Sequence, residues 1–365
     1  MLNNSNQRLI TLLLLGAFQM IFFQILKSSP AFLLFYNVTI YPKINHLLLS
    51  IFSRISIPIG EIFYLLLGAS LLFFLYRFSY TLVKKKYCET KNTLVYILLI
   101  GNTFFGFFQL FWGINYAKKS FTSDFYIDDV SIDEVKTIAE NELTLVKFYR
   151  NQVQENENGI FILQEDQKTL QENILSDQQQ LVYFPFLKSK YVIDKNNFKP
   201  SFFSSLANYL GVLGYYNPFT NEANYNNKTT DLSRPFTLAH ELAHLISYAP
   251  ENEANFIAYL IAEQSKSIDL LYSAHYKTLM NALRNIAYKD PEYVKNILDN
   301  FSDGMVRDRE HERWHAEKYL GAASDAFSNL NDVYLRANNQ EGISSYSQYI
   351  VYVAAYYRWK NIGND

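Results

Sequence analysis

The residues of this chain best suited to chemistry are spaced His240-Glu241-Leu242-Ala243-His244. On a helix, positions four apart lie one turn apart on one face, so both imidazoles can reach a single metal ion. Glu241 leans toward the same centre, where it can hold a water. The stretch Pro250-Glu251-Asn252-Glu253-Ala254-Asn255-Phe256 follows closely and offers a carboxylate within a short turn of the first helix. Two histidines, one glutamate and an open fourth position are the donor set of a hydrolytic Zn2+ site.

Glu251 and Glu253 compete to be the third ligand. Two residues apart on a helix, they point to nearly opposite sides, so only one can face the metal. Glu251 has Asn255 one turn later on its own face, an amide able to hydrogen-bond a metal-bound histidine. Glu251 is therefore the expected ligand, with Glu253 as the alternative.

The bare pattern occurs twice. His311-Glu312-Arg313-Trp314-His315 matches it as well as residues 240–244 do. The neighbours separate the two copies. Leu238, Ala239, Leu242, Ala243, Leu245 and Ile246 make the first an apolar helix able to sit under a shielded site. Arg307, Asp308, Arg309, Glu310, Arg313, Glu317 and Lys318 make the second a charged, solvated face. The metal site is expected at His240, His244 and Glu251, with Glu241 as the base.

The elements that must position these residues are mostly helical. Apolar runs at about 9–26, 57–83 and 93–117 are each long enough to cross a hydrocarbon core, which needs about 20 residues. The segment between the first two reads as interfacial. Residues 1–117 are thus expected to be a membrane anchor of three transmembrane helices in the lipid bilayer. Lys84, Lys85, Lys86 and Lys91 follow the second run, and the excess of positive charge on cytoplasmic loops puts that turn in the cytoplasm and residues 118–365 outside it. Past Ala117 the charge density rises. Ser131-Ile132-Asp133-Glu134 has capping-box spacing and opens a helix to about 154, with another within 166–180. Residues 209–216 and 222–226 read as a hairpin around a turn at 217–221, either a structural hairpin or an edge able to pair with an extended peptide. Helices are expected at 234–248, 250–265, 268–288, 290–301, 305–338 and 344–361.

Composition narrows the alternatives. A net charge of -2 and no extended basic patch argue against a nucleic-acid partner. The single cysteine, Cys88, excludes an intrachain disulfide and a structural zinc site built on two cysteines.

His240-Glu-Leu-Ala-His244 followed by Glu251-Asn-Glu-Ala-Asn255 resembles the gluzincin metallopeptidases. More closely, the chain resembles the DUF3810 family of bacterial membrane proteins. The residues that carry this likeness are the three spans, Gly214-Tyr-Tyr-Asn-Pro-Phe-Thr-Asn-Glu-Ala-Asn224, Pro235 to His244, Glu251 to Phe256, and Tyr334 to Ser347. The gluzincin likeness implies zinc on His240, His244 and Glu251, and general-base chemistry at Glu241. Asn255 stands where many gluzincins carry Asp. The combined reading is a zinc metallopeptidase in a cell membrane, its zincin-like domain extracytoplasmic and its substrate a peptide or protein. The alternative is a catalytically silent metal-binding sensor or scaffold, against which the intact Glu241 argues. Arg307, Tyr346 and Tyr349 are the C-terminal candidates to stabilise an oxyanion, and His275 reads as structural.

Overall fold

The structure is a computed structural model that describes residues 4–123, 125, 130–338, 340–346 and 348–362. It divides into two compact units: residues 1–118 together with 217–221, and residues 119–216 together with 222–365.

The first unit is built from α1 (Asn4–Ser28), α2 (Pro30–Phe35), a π-helical turn at Tyr36–Ile40, α3 (Tyr41–Phe52), α4 (Ile59–Val83) and α5 (Tyr87–Phe111). Three helices, Ser5–Ser28, Ile59–Val83 and Tyr87–Phe111, are long and apolar enough to cross a membrane. The last begins earlier than the apolar run from 93 suggests and stops at Phe111, where the chain tightens into a 3₁₀ turn at Gly113–Ala117. Both α1 and α4 pack on α5. Asn102 donates from α5 to the Leu12 carbonyl at 3.1 Å, a polar clamp inside an apolar bundle. Residues 217–221 complete this unit. Phe219 packs against Phe63, Phe104 and Phe111 at ring separations of 5.1, 5.0 and 6.4 Å. The Asn45 amide donates to Asn221 Oδ1 at 3.1 Å. Phe63 lies near the start of α4 and Phe111 at the end of α5, the helix ends remote from Lys84–Lys86.

The second unit contains α6 (Ile132–Arg150), β1 (Gln154–Glu155), β2 (Phe161–Ile162), α7 (Gln167–Asp177), β3 (Phe198–Pro200), α8 (Ser204–Leu210), β4 (Gly214–Asn217) and β5 (Glu222–Tyr225). It continues with α9 (Arg234–Leu245), α10 (Glu251–Glu263), α11 (Ile268–Ala287), α12 (Pro291–Asp299), α13 (Asp303–Tyr319), α14 (Ala322–Ala337), a 3₁₀ turn at Gly342–Tyr346 and α15 (Ile350–Ile362). The mainly helical architecture with few strands matches the expectation, and the Ser131 capping box forms with both of its hydrogen bonds. Three details differ. Residues 204–210 are helical, ended by Gly211 at a left-handed φ of +70°, so the first hairpin strand starts only at Gly214. A strand not anticipated, β3, pairs in parallel with β5, giving the order β3-β5-β4 and leaving β4 at an edge. The helix expected at 305–338 is two, broken at Leu320–Gly321.

α9 is buried along its whole length from Pro235 to Leu245, sheltered by α10, α11 and β5. A helix buried all round must be apolar all round except where its polar groups meet each other, and that exception here is the His-Glu-His set. α11 also packs along α6, and α13 is pinned by a buried ion pair. Arg150 Nε donates to Asp308 Oδ2 at 2.6 Å, with 4 % and 1 % of the two side chains exposed. Asp308 also accepts from Tyr272 Oη and the Phe161 N–H. Asp308→Ala would take from this guanidinium its buried counter-charge and leave it Glu155 at 2.7 Å and the Gly159 carbonyl, so it is expected to cost about 3 kcal/mol. A thermal melt unchanged from wild type would refute this.

Candidate metal centre

The chain folds locally so that α9 and α10 meet at their polar positions. α9 stops because Ser247 adopts a φ of +81° and the Tyr248 N–H reaches back to the Ala243 carbonyl at 3.0 Å. Pro250, which cannot continue a helix, then sits at the N-cap of α10. The turn is short, so Glu251 at the first position of α10 returns beside the last turns of α9.

His240 Nε2 lies 3.1 Å and His244 Nε2 3.6 Å from Glu251 Oε2. The three donor atoms all fall within 4.8 Å of one another. Ligands on a tetrahedral ion with bonds of about 2.05 Å are separated by about 3.3 Å, so the two carboxylate–imidazole spacings suit a four-coordinate metal ion. The opposite ring nitrogens are committed elsewhere. His240 Nδ1 is 2.8 Å from Asn255 Oδ1, and His244 Nδ1 is 2.7 Å from the Tyr248 carbonyl. Both partners are acceptors, so each Nδ1 carries a hydrogen and donates, and each Nε2 is the nitrogen turned toward the centre, able to take a metal once it gives up its own proton.

Glu241 sits one residue along, 3 % exposed, and its Oε2 has no hydrogen-bond partner among the described residues. Burial pushes its carboxyl up to about 7, against the pull of the two histidines. Glu251 behaves oppositely. Burial would raise it, but His244 and His240 outweigh that and hold it down to about 2. Burial likewise opposes charge on His244, yet the Glu251 carboxylate raises it to about 9. Glu251 is therefore the anionic member of the set, and Glu241 the one carboxyl poised to exchange a proton near neutral pH. The edge strand β4 closes on this base. A Cβ at Gly214 would stand 2.6 Å from Glu241 Oε1 and 3.0 Å from the Asn224 carbonyl, so the backbone passes where no side chain fits. Tyr216, two residues further, places its ring 6.3 Å from that of His244.

The rival carboxylate in the first turn of α10 is engaged elsewhere. Glu253 accepts from Ser120 Oγ at 2.5 Å and takes no part in the His-Glu-His set. The second His-Glu-x-x-His copy is also accounted for. Its charged helix is less solvated than its composition suggests, because Glu312 turns inward. It accepts from Thr230 and Ser233, just before α9, and pairs with Lys277 of α11 at 3.0 Å. Burial opposes its charge, but Lys277 and the hydroxyls keep it below the usual carboxylate range. His315 contacts the Lys228 carbonyl and His311 stacks on Trp314. Glu312 is thus a bolt holding α13 against the start of α9.

Of the candidate oxyanion donors, Arg307 donates to the Gly159 carbonyl and pairs with Glu155, and Tyr349 donates to Thr278. Both are committed away from His240 and Glu251. The Tyr346 side chain lies outside the described residues. His275 is structural in a stronger sense than its helix pattern conveys, being buried against Glu142 at 2.7 Å. Sequence reasoning missed Gln340, whose Oε1 accepts the Glu251 N–H at 2.9 Å. Read along the chain, it is one polar residue in a helix-breaking stretch.

Fold and site together define a mainly helical protein with three helices able to cross a membrane and a buried His₂Glu group able to hold a metal. It belongs to the DUF3810 family, described as a protein of unknown function, whose model matches residues 36–354. No curated protein and no solved structure matches the chain.

Proposed function

We propose that this protein is a membrane-anchored zinc peptidase. The observation that carries the reading is the fixed orientation of the two imidazoles: Asn255 and Tyr248 hold both Nδ1 atoms, so both Nε2 atoms converge with Glu251 on one point. His240, His244 and Glu251 would hold the ion. When bound, zinc supplies Lewis-acid chemistry, acidifying a water and polarising a carbonyl.

The rest falls to the chain. Glu241 takes the proton of the attacking water on its unpartnered oxygen and returns it to the leaving amine, a task suited to a carboxyl near 7. β4 is an edge strand, so an extended peptide can add to it through backbone hydrogen bonds, which places the scissile bond beside Glu241. The four lysines near the turn between α4 and α5 favour a cytoplasmic turn, and residues 217–221 pack at the opposite helix ends. On the positive-inside rule these features support a zinc unit outside the cytoplasm.

Metal analysis of the full chain in detergent tests the reading. One zinc per chain is expected in wild type and in His311→Ala, and none in His240→Ala. Zinc that survives His240→Ala and disappears with His311→Ala would move the site to α13 and refute it.

A further inference from the structure

Glu241 would serve as the base and His240, His244 and Glu251 as the metal cradle, which leaves a hydrogen-bond donor for the carbonyl oxygen under attack to be assigned. Three side chains were candidates from the sequence, and of the two described, Arg307 and Tyr349, each is spent on a partner elsewhere. Gln340 lies where they do not. It follows α14, which packs on α8, and precedes the 3₁₀ turn, which packs on α10. This segment therefore runs between the helix preceding β4 and the helix that begins with Glu251.

The orientation of the Gln340 amide follows from chemistry. The Glu251 N–H can only donate, so the atom facing it at 2.9 Å is the amide oxygen, and the NH₂ is the other branch. That NH₂ is buried and has no partner among the described residues. A buried donor left without an acceptor costs about 1–3 kcal/mol and is uncommon in a folded protein. Such a donor, carried by the same planar group that holds the backbone of a metal ligand, is in place for an acceptor that arrives with substrate.

We infer that Gln340 is a catalytic residue: its Nε2 donates to the scissile carbonyl oxygen as negative charge develops there, while its Oε1 fixes the first turn of α10. The inference rests on the zinc peptidase reading and adds the donor that reading lacks. Donors aimed at a developing oxyanion in a water-poor site are each worth about 10²–10³ in kcat.

The test uses the zinc-loaded full chain in detergent and two variants. Gln340→Glu keeps an acceptor for the Glu251 N–H and removes the donor. Its zinc content should equal wild type, its kcat on a quenched-fluorescent peptide library should fall about 100-fold, and KM should stay within about threefold. Affinity for a phosphinic dipeptide, whose anionic oxygens stand where the charge develops, should fall about as much by calorimetry. Gln340→Leu loses both contacts, so it should show the same loss and also bind zinc more weakly. Wild-type kcat and phosphinate affinity in Gln340→Glu would overturn the inference and leave the zinc site standing. A wild-type chain that takes up no zinc and cleaves nothing would remove both readings and reduce Gln340 to a cap on α10.

Discussion

Glu241→Gln is expected to leave one zinc on the chain and to reduce peptide hydrolysis by about 10³-fold, within the range lost when a positioned general base is removed. The two outcomes separate because Glu241 is not among the donor atoms: the convergent set is His240, His244 and Glu251. The amide is nearly isosteric, so β4 can still pass at Gly214, but an amide cannot accept the proton of a water. Stability should not fall. Wild type buries a carboxyl with one oxygen unpartnered, and its raised value near 7 records what burial costs the charged form. A neutral group there should melt at the same temperature or higher, the usual relation between a strained functional group and its inert replacement. Metal analysis, calorimetric melting and turnover on the same preparation check all three. Retained hydrolysis in Glu241→Gln would remove Glu241 from the mechanism.

Much of this site could be read from residue spacing, because the spacing is helical and local. Positions 240 and 244, and positions 251 and 255, each lie one turn apart, so the facing of all four follows from periodicity alone. The choice of Glu251 over Glu253 is a choice of helix face, and the structure puts Glu253 on the opposite side against Ser120. Contacts that depend on distant segments are another matter. Glu312 lies in a run of charges that reads as a solvated face. What turns it inward is Lys277, Thr230 and Ser233, three partners from two other segments. Gln340 reaches Glu251 across 89 positions, and nothing in its neighbourhood announces it.

The fold shows the same division. Tyr209 and Leu210 have the aromatic and apolar character of a strand, yet they end a helix. Tyr209 packs edge-on against Tyr319 at 5.0 Å, and Gly211 provides the left-handed cap. The glycine was the local sign of a helix end, outweighed by side chains whose preference depends on what they pack against. At Leu320–Gly321 the apolar periodicity runs on, but α13 and α14, which both reach α8, diverge beyond it, α13 to α6 and α14 to the 3₁₀ turn at Gly342–Tyr346, and Gly321 in an extended conformation parts them. The turn at 217–221 was legible as a turn. That Phe219 would be enclosed by three phenylalanines of the first unit was not, since each is more than 100 positions away.

Gly214→Ala carries the second large effect, because one methyl group forces a choice among fixed neighbours. The new Cβ meets the Asn224 carbonyl at 3.0 Å and the Glu241 carboxylate at 2.6 Å. The carbonyl belongs to β5, which is held by β3 on its far side, so it yields little. The Glu241 side chain is the softer party and must swing off its position. A displacement of about 1 Å at a reacting group lowers rate by about 10²-fold, so kcat should fall by that order while zinc content stays at one per chain. Overpacking should cost about 1–3 kcal/mol, visible as a lower melting temperature. Gly101→Ala is the matching control, since its Cβ would meet nothing within 4 Å, and it should change neither rate nor metal content. The comparison also tests the link between strand and base. Gly214→Ala lowers kcat with zinc retained only if the close approach of β4 sets the position of Glu241. A variant with full activity would mean that the strand and the base move independently, and peptide addition at β4 would then no longer place the scissile bond.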